Sequence, residues 1–129
     1  MRFFSTLAVL LIAVTIAACT SAPILNVNNN AVTTASGKAL TPDQVRNAIL
    51  RAGSALGWQL KDDGPGKLVG TLQLRDHTAI IDIPYSPSSY SIVYRSSVNL
   101  QEKGGQIHKN YNGWIQNLTR NINAQLSAS

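Results

Sequence analysis

The chain has a single cysteine, Cys19, in 129 residues. No intramolecular disulfide can form, so the fold has to rest on packing and hydrogen bonds. Groups able to do chemistry are also few. His77 and His108 are the only histidines, and the carboxylates are Asp43, Asp62, Asp63, Asp76, Asp82 and Glu102. A serine hydrolase sets a serine, a histidine and a carboxylate in hydrogen-bond reach of one another. Serines are plentiful, among them Ser86, Ser88, Ser89, Ser96 and Ser97, yet none lies in a nucleophile-elbow sequence. Zinc needs three or four clustered ligands, and two histidines far apart in sequence give no such set. Gly64-Pro65-Gly66 contains a proline and has no helix start after it, unlike a phosphate-binding loop. The expectation is a non-enzyme, with no catalytic residue, no metal site and no cofactor.

Charge of one sign is not concentrated anywhere. The net charge is +5, but Lys38, Arg46, Arg51, Lys61, Lys67, Arg75, Arg95, Lys103, Lys109 and Arg120 are scattered. Such a pattern reads as a mildly basic solvated surface. It gives no footprint for nucleic acid. For an exported protein, an anionic envelope component or an acidic protein surface is the better electrostatic partner.

A long hydrophobic run is missing as well. Phe3 to Ala18 is free of charge and apolar apart from Ser5 and Thr15, but it is only 16 residues long. A spanning helix needs about 20. With Arg2 ahead of it and the small Ala17 and Ala18 at its end, the run reads as the core of a cleaved signal peptide. Ile16, Ala17, Ala18 and Cys19 resemble the bacterial lipobox, an aliphatic residue, two small ones and cysteine. The resemblance implies that the Cys19 thiol takes a diacylglycerol and that cleavage falls before Cys19. It also implies that the new amino group is acylated, for example with palmitate. One acyl chain anchors weakly and two or three hold firmly. Thr20, rather than Asp, follows the cysteine. By the common sorting rule of enteric lipoproteins, that favours the outer membrane, facing the periplasm.

The expected organisation is a signal peptide over residues 1–18, a lipidated Cys19 with a flexible tether over 19–40, and one domain over 41–129. Asn28-Asn29-Asn30 and Thr33-Thr34-Ala35-Ser36-Gly37 have neither helical nor strand periodicity, which is the reason for the spacer. The exception is Pro23-Ile24-Leu25-Asn26-Val27, whose β-branched content allows a short extended piece. The domain opens on Thr41-Pro42-Asp43-Gln44, a capping box with proline at the first helical position. Val45, Ala48, Ile49, Ala52 and Leu56 then form a helical stripe, and Gly57 suits the left-handed stop. The small Ala52 and Gly53 suggest close approach of that helix to a sheet.

Four strand segments follow: Trp58–Lys61, Lys67–Leu74, His77–Ile83 and Tyr90–Arg95. If Arg75-Asp76 is the tip of a tight hairpin, Leu72 opposes Ala79 and Leu68 opposes Ile83, which puts the apolar sets on one face. The tip lacks the favoured Asn-Gly or Asp-Gly, so a longer loop is the alternative. The other face carries Thr71, Gln73, Arg75, Thr78, Ile80, Asp82, Ser91, Val93 and Arg95. Residues 96–106 read as a loop. A second helix, roughly Lys109 to Leu126, carries Tyr111, Trp114, Ile115, Leu118, Ile122 and Leu126 on one stripe. Gly113 inside it is unfavourable by about 1 kcal/mol relative to alanine, which close helix–sheet contact would offset. The expected fold class is α+β, a two-layer sandwich. An N-terminal helix and a C-terminal helix pack on the same face of an antiparallel sheet of about four strands.

The most distinctive string is Ile107-His108-Lys109-Asn110-Tyr111-Asn112-Gly113-Trp114-Ile115. Tyr94, Arg95, His108, Tyr111 and Trp114 are the candidate partner-contact residues, though aromatics at helical spacing more often pack in a core. The chain resembles a family of small, uncharacterised proteobacterial lipoproteins. The likeness lies in the lipobox, the Asn-rich segment, the helix closing on Gly57-Trp58, the strands Ala79-Ile80-Ile81-Asp82-Ile83 and Tyr90-Ser91-Ile92, and Tyr111-Asn112-Gly113-Trp114. It implies an α+β lipoprotein domain and no established activity. The expected role is a membrane-anchored, non-catalytic binding or assembly module in the periplasm. The alternative is a small-ligand or lipid carrier with an aromatic pocket at Tyr94, Tyr111 and Trp114. A hydrolase using His108 is the third class.

Overall fold

A computed structural model describes residues 20–129; the expected signal peptide and Cys19 lie outside the described residues. The elements run β1 (Ser21–Pro23), β2 (Val27–Ala31), α1 (Pro42–Ala55), β3 (Gln59–Asp62), β4 (Lys67–Leu74), β5 (His77–Pro84), β6 (Ser89–Val98), β7 (Gln106–His108) and α2 (Lys109–Ser127). The class is α+β. A five-stranded antiparallel sheet has the order β2-β6-β5-β4-β3, and β1 pairs with β7 in a separate two-stranded sheet.

Local chemistry sets the boundaries of α1. Thr41 Oγ1 accepts from Gln44 N at 3.2 Å, and Gln44 Oε1 accepts from Thr41 N at 2.9 Å, which completes the capping box. At the other end Gly57 adopts φ +86°. Trp58 N donates to Gly53 O at 2.9 Å and Gly57 N to Ser54 O at 3.2 Å, a Schellman stop. The small residues of α1 let β3 come close. A Cβ on Gly53 would fall 2.5 Å from Leu60 Cδ1, and one on Gly70 would fall 2.8 Å from Leu60 Cδ2. Leu60 is thus wedged between two glycines of different elements.

The β4–β5 hairpin has the tight register, with Leu72 opposite Ala79, Leu68 opposite Ile83 and Leu74 opposite His77. Arg75 takes the left-handed conformation at the tip, φ +56°, where glycine or asparagine would be less strained. Leu68, Leu72, Ala79, Ile81, Ile83, Tyr90 and Ile92 point to the inside. There they join Val45, Ala48, Ile49 and Ala52 of α1 and Tyr111, Ile115, Leu118, Ile122 and Leu126 of α2 in one buried cluster.

Four details differ from the sequence reading. First, residues 20–31 are not a flexible spacer: β1 and β2 lie there, and β2 is an edge of the main sheet. Asparagine side chains do the joining. Asn26 Oδ1 accepts from Tyr94 N at 2.9 Å, and the backbone N–H of Asn29, at φ +51°, donates to the Ser91 side chain, Oγ, at 2.9 Å. Asn30 Nδ2 reaches Tyr90 Oη at 2.9 Å and Asn123 Oδ1 at 3.0 Å. Second, the chain folds well before residue 41, since Leu40 and the partly buried Ile24, Leu25, Val27 and Val32 pack on the core. Third, the 96–106 stretch is not wholly loop: β6 runs on to Val98 past an irregularity at Ile80/Ile81, and β7 begins at Gln106. Fourth, nothing lies within 4 Å of a Cβ placed on Gly113, so no close helix–sheet contact offsets that glycine.

Candidate functional site

The start of α2 is where the chain ends of several elements meet. Thr20 O accepts from Lys109 N at 2.8 Å, and Ser21 pairs with His108. Ile24 N donates to Gly105 O at 2.9 Å. Asn112, one turn into α2, accepts from Leu25 N at 2.9 Å and donates to Pro23 O at 2.8 Å. Its amide therefore engages residues 23 and 25 much as a neighbouring strand would. The described chain is held to the fold from its first residue.

The candidate contact residues do not converge on one spot. Tyr111 is fully buried, and its ring meets Tyr94 edge to face, with centroids 5.5 Å apart and planes at 87°. Tyr94 Oη lies 2.8 Å from Ser97 Oγ. Burial holds the Tyr111 phenol strongly towards its neutral form, and the neighbouring Tyr94 adds to this. His108 is the N-cap of α2: its Nδ1 accepts from Asn110 N at 3.2 Å, and its backbone N–H donates to Leu100 O at 2.8 Å. His77 Nδ1 is 2.8 Å from Asn99 O and so carries the proton there. Both rings thus have their Nδ1 engaged in holding loops and a helix end.

Arg95 stands on the opposite, helix-free side of β6. Its Nη2 is 2.6 Å from Asp82 Oδ1 and 3.3 Å from Asp63 Oδ2, while Lys67 Nζ is 3.2 Å from Asp63 and 3.4 Å from Asp82. Two cations and two anions alternate around this quartet, with Asp82 half-buried and Asp63 and Arg95 exposed. Lys67 first, then Arg95, holds the Asp63 carboxyl below the usual range. On that geometry the quartet neutralises itself and leaves no surplus charge for a ligand. A separate pair, Arg46 and Asp62, is joined bidentately, Nε to Oδ1 and Nη2 to Oδ2, each at 2.7 Å.

Trp114 lines a crevice with Leu56, Trp58, Leu72, Leu74 and Asn117. Its volume is about 80 Å³, well short of the roughly 300–1,000 Å³ of ligand pockets; Trp114 also borders a wide-open, mostly polar-rimmed depression of about 510 Å³ with Lys109, Asn112, Gly113 and Gln116 on the surface of α2. Among the described residues, the large apolar side chains left exposed are Leu56, Leu74 and Val98, at 36, 43 and 55 %. The sequence pattern does not single out Leu56, Leu74, Val98 or Asn112 as surface features. Leu56 and Leu74 continue apolar stripes that read as core, and Asn112 is one of many asparagines. Among the described residues, no group of three or more His, Cys, Asp or Glu side chains is placed to hold a metal ion. Nor is any described helix long and apolar enough to cross a membrane.

No family model, no curated protein and no solved structure matches the chain.

Proposed function

We propose that the chain is the precursor of an envelope lipoprotein, anchored by acyl groups on Cys19, whose domain is a non-catalytic binding or assembly module. The observation that carries this reading is the junction at Cys19. Ile16-Ala17-Ala18-Cys19 stands immediately ahead of Thr20, and Thr20 O accepts the first hydrogen bond of the described fold. Cleavage before Cys19 would leave every described strand and helix intact. The reading takes the fold as two layers, with both helices on the same sheet face and the other face, with its Asp63–Lys67–Asp82–Arg95 quartet, turned to the periplasm. Thr20 after the cysteine favours the outer membrane.

A non-catalytic role is supported by the engagement of His77 and His108 in structural hydrogen bonds. The carrier alternative requires a cavity at Tyr94, Tyr111 and Trp114. The edge-to-face packing of the two tyrosines weighs against it, as does the space at Trp114, a small crevice on one side and a depression open to solvent on the other, neither of which Tyr94 or Tyr111 lines. The anchored role is tested by fractionating cells that express the natural chain or Cys19→Ser. The natural chain is expected in the membrane pellet and the variant in a different fraction or as uncleaved precursor. Identical distribution of the two together with an identical mature mass would refute the anchor.

A further inference from the structure

The lipid and the domain are usually pictured as joined by a leash. Here the hydrogen bonds leave no length for one. Residues 20–25 are held by Lys109, His108, Asn112 and Gly105, and Cys19 is one peptide unit, about 3.8 Å between Cα atoms, from Thr20. An acylated Cys19 therefore fixes the β1–β7–α2 end of the domain within a few ångströms of the bilayer surface.

That same end carries the exposed apolar side chains. Leu74 pairs with His77 at the base of the β4–β5 tip, and Leu74, Leu56 and Trp114 line one crevice. Val98 pairs with Thr78, and the next residue, Asn99, binds the tip through its carbonyl to His77 and its side chain to Asp76 O at 2.8 Å. Leu100 O in turn accepts from His108 N, beside the point where Thr20 is held. Strand pairing and these hydrogen bonds thus link Leu74 and Val98 to the site of anchoring, Val98 leaving the sheet on the face opposite Leu74 at the same end, and Leu56 and Trp114 join Leu74 through the shared crevice. Arg75, Lys103 and Lys109 are exposed on this end, along with Asp76 and Glu102. The positive excess is one charge, so apolar contact carries the argument and charge only assists it.

We propose that this end of the domain is a membrane-contact surface. It rests on the bilayer with Leu56, Leu74 and Val98 in the interfacial layer and Trp114 at the headgroup level. Tryptophan suits that level because one part of its ring is apolar and its N–H seeks a polar partner. The long Lys103 and Lys109 stems lie along the surface with their ammonium groups in water or against phosphates. The domain then has a fixed orientation, with the Gly64-Pro65-Gly66 turn at the far end of β4 directed away from the membrane. This inference rests on the anchoring of Cys19 proposed above.

The test uses the full acylated protein, purified from membranes and reconstituted into vesicles of phosphatidylethanolamine and phosphatidylglycerol. Val98→Cys and Pro65→Cys are made separately; the acylated Cys19 has no free thiol, so each variant has one labelling site. A fluorophore on position 98 is expected to be quenched at least twofold more by chain-brominated lipids than one on position 65. Equal quenching in protein whose mass includes the acyl groups overturns the contact surface and leaves the anchor standing. A mass without acyl groups removes the anchor, and the inference with it. A position-98 label shielded in intact envelopes but unquenched in vesicles assigns the surface to a protein partner, which also overturns the proposal.

Discussion

Tyr90 and Gly113 show how a single side chain, or the lack of one, weighs on this fold. Tyr90 is almost fully buried, and its hydroxyl donates to Asn123 Oδ1 at 2.6 Å while accepting from Asn30. Burial raises its pKa from 10.0 to about 12, slightly opposed by the Asn30 hydrogen bond. A phenol that ionises later in the folded chain than in the unfolded chain favours folding fully below pH 10.0. That contribution is lost as the pH rises through about 12. Burial shifts Tyr111 in the same direction. Stability measured by urea unfolding is expected to hold steady up to about pH 10 and then to fall, with Tyr90→Phe lessening the fall. Gly113 offers the opposite case. It sits inside α2 with open space where a Cβ would go, so Gly113→Ala is expected to raise stability by about 1 kcal/mol. Thermal or urea denaturation reads this directly, and a loss of stability would mean that the glycine has a contact the fold does not show.

At the scale of elements, what was legible followed from local rules. The capping box at Thr41 and the left-handed Gly57 bound α1, and strict alternation in Lys67–Leu74 and His77–Ile83 gave the hairpin register residue by residue. β1 and β2 were not legible in the same way. Their composition, rich in asparagine and serine, matches that of loops, and their stability comes from partners 60 or more residues away, such as Ser91, Tyr90, Asn112 and Asn123. Asparagine carries both a donor and an acceptor, so it can complete a backbone ladder that periodicity cannot reveal. The β6 irregularity opposite Ile80/Ile81 is equally silent in the sequence. Asn112→Ala removes both hydrogen bonds to residues 23 and 25. It is expected to cost about 1–2 kcal/mol, at roughly 1 kcal/mol for each bond, and to speed hydrogen exchange of the Leu25 amide. Unchanged exchange there would mean that α2 does not hold the N-terminal segment.

At the scale of the whole molecule, the candidate site was legible only in pieces. Tyr94 and Tyr111 do meet, as helix and strand periodicity allow, but Tyr111 is buried in the core and the half-buried Tyr94 packs against it. Arg95 and Trp114 fall on different surfaces: strand alternation sends Arg95 to the outer face with Asp82, while Trp114 borders a crevice with Leu56 and Trp58 on the helix side. Leu56, Leu74 and Val98 come from segments far apart in the chain, and only strand pairing brings Leu74 and Val98 to the same end of the sheet, on its two faces. Much of the account depends on what Cys19 carries. Mass spectrometry of the N-terminal peptide of the protein extracted from its native membranes tests this most directly. The peptide is expected to begin at Cys19 and to bear a thioether-linked diacylglycerol and an amide-linked acyl chain. An intact leader, or a peptide with a free Cys19 thiol, would contradict it.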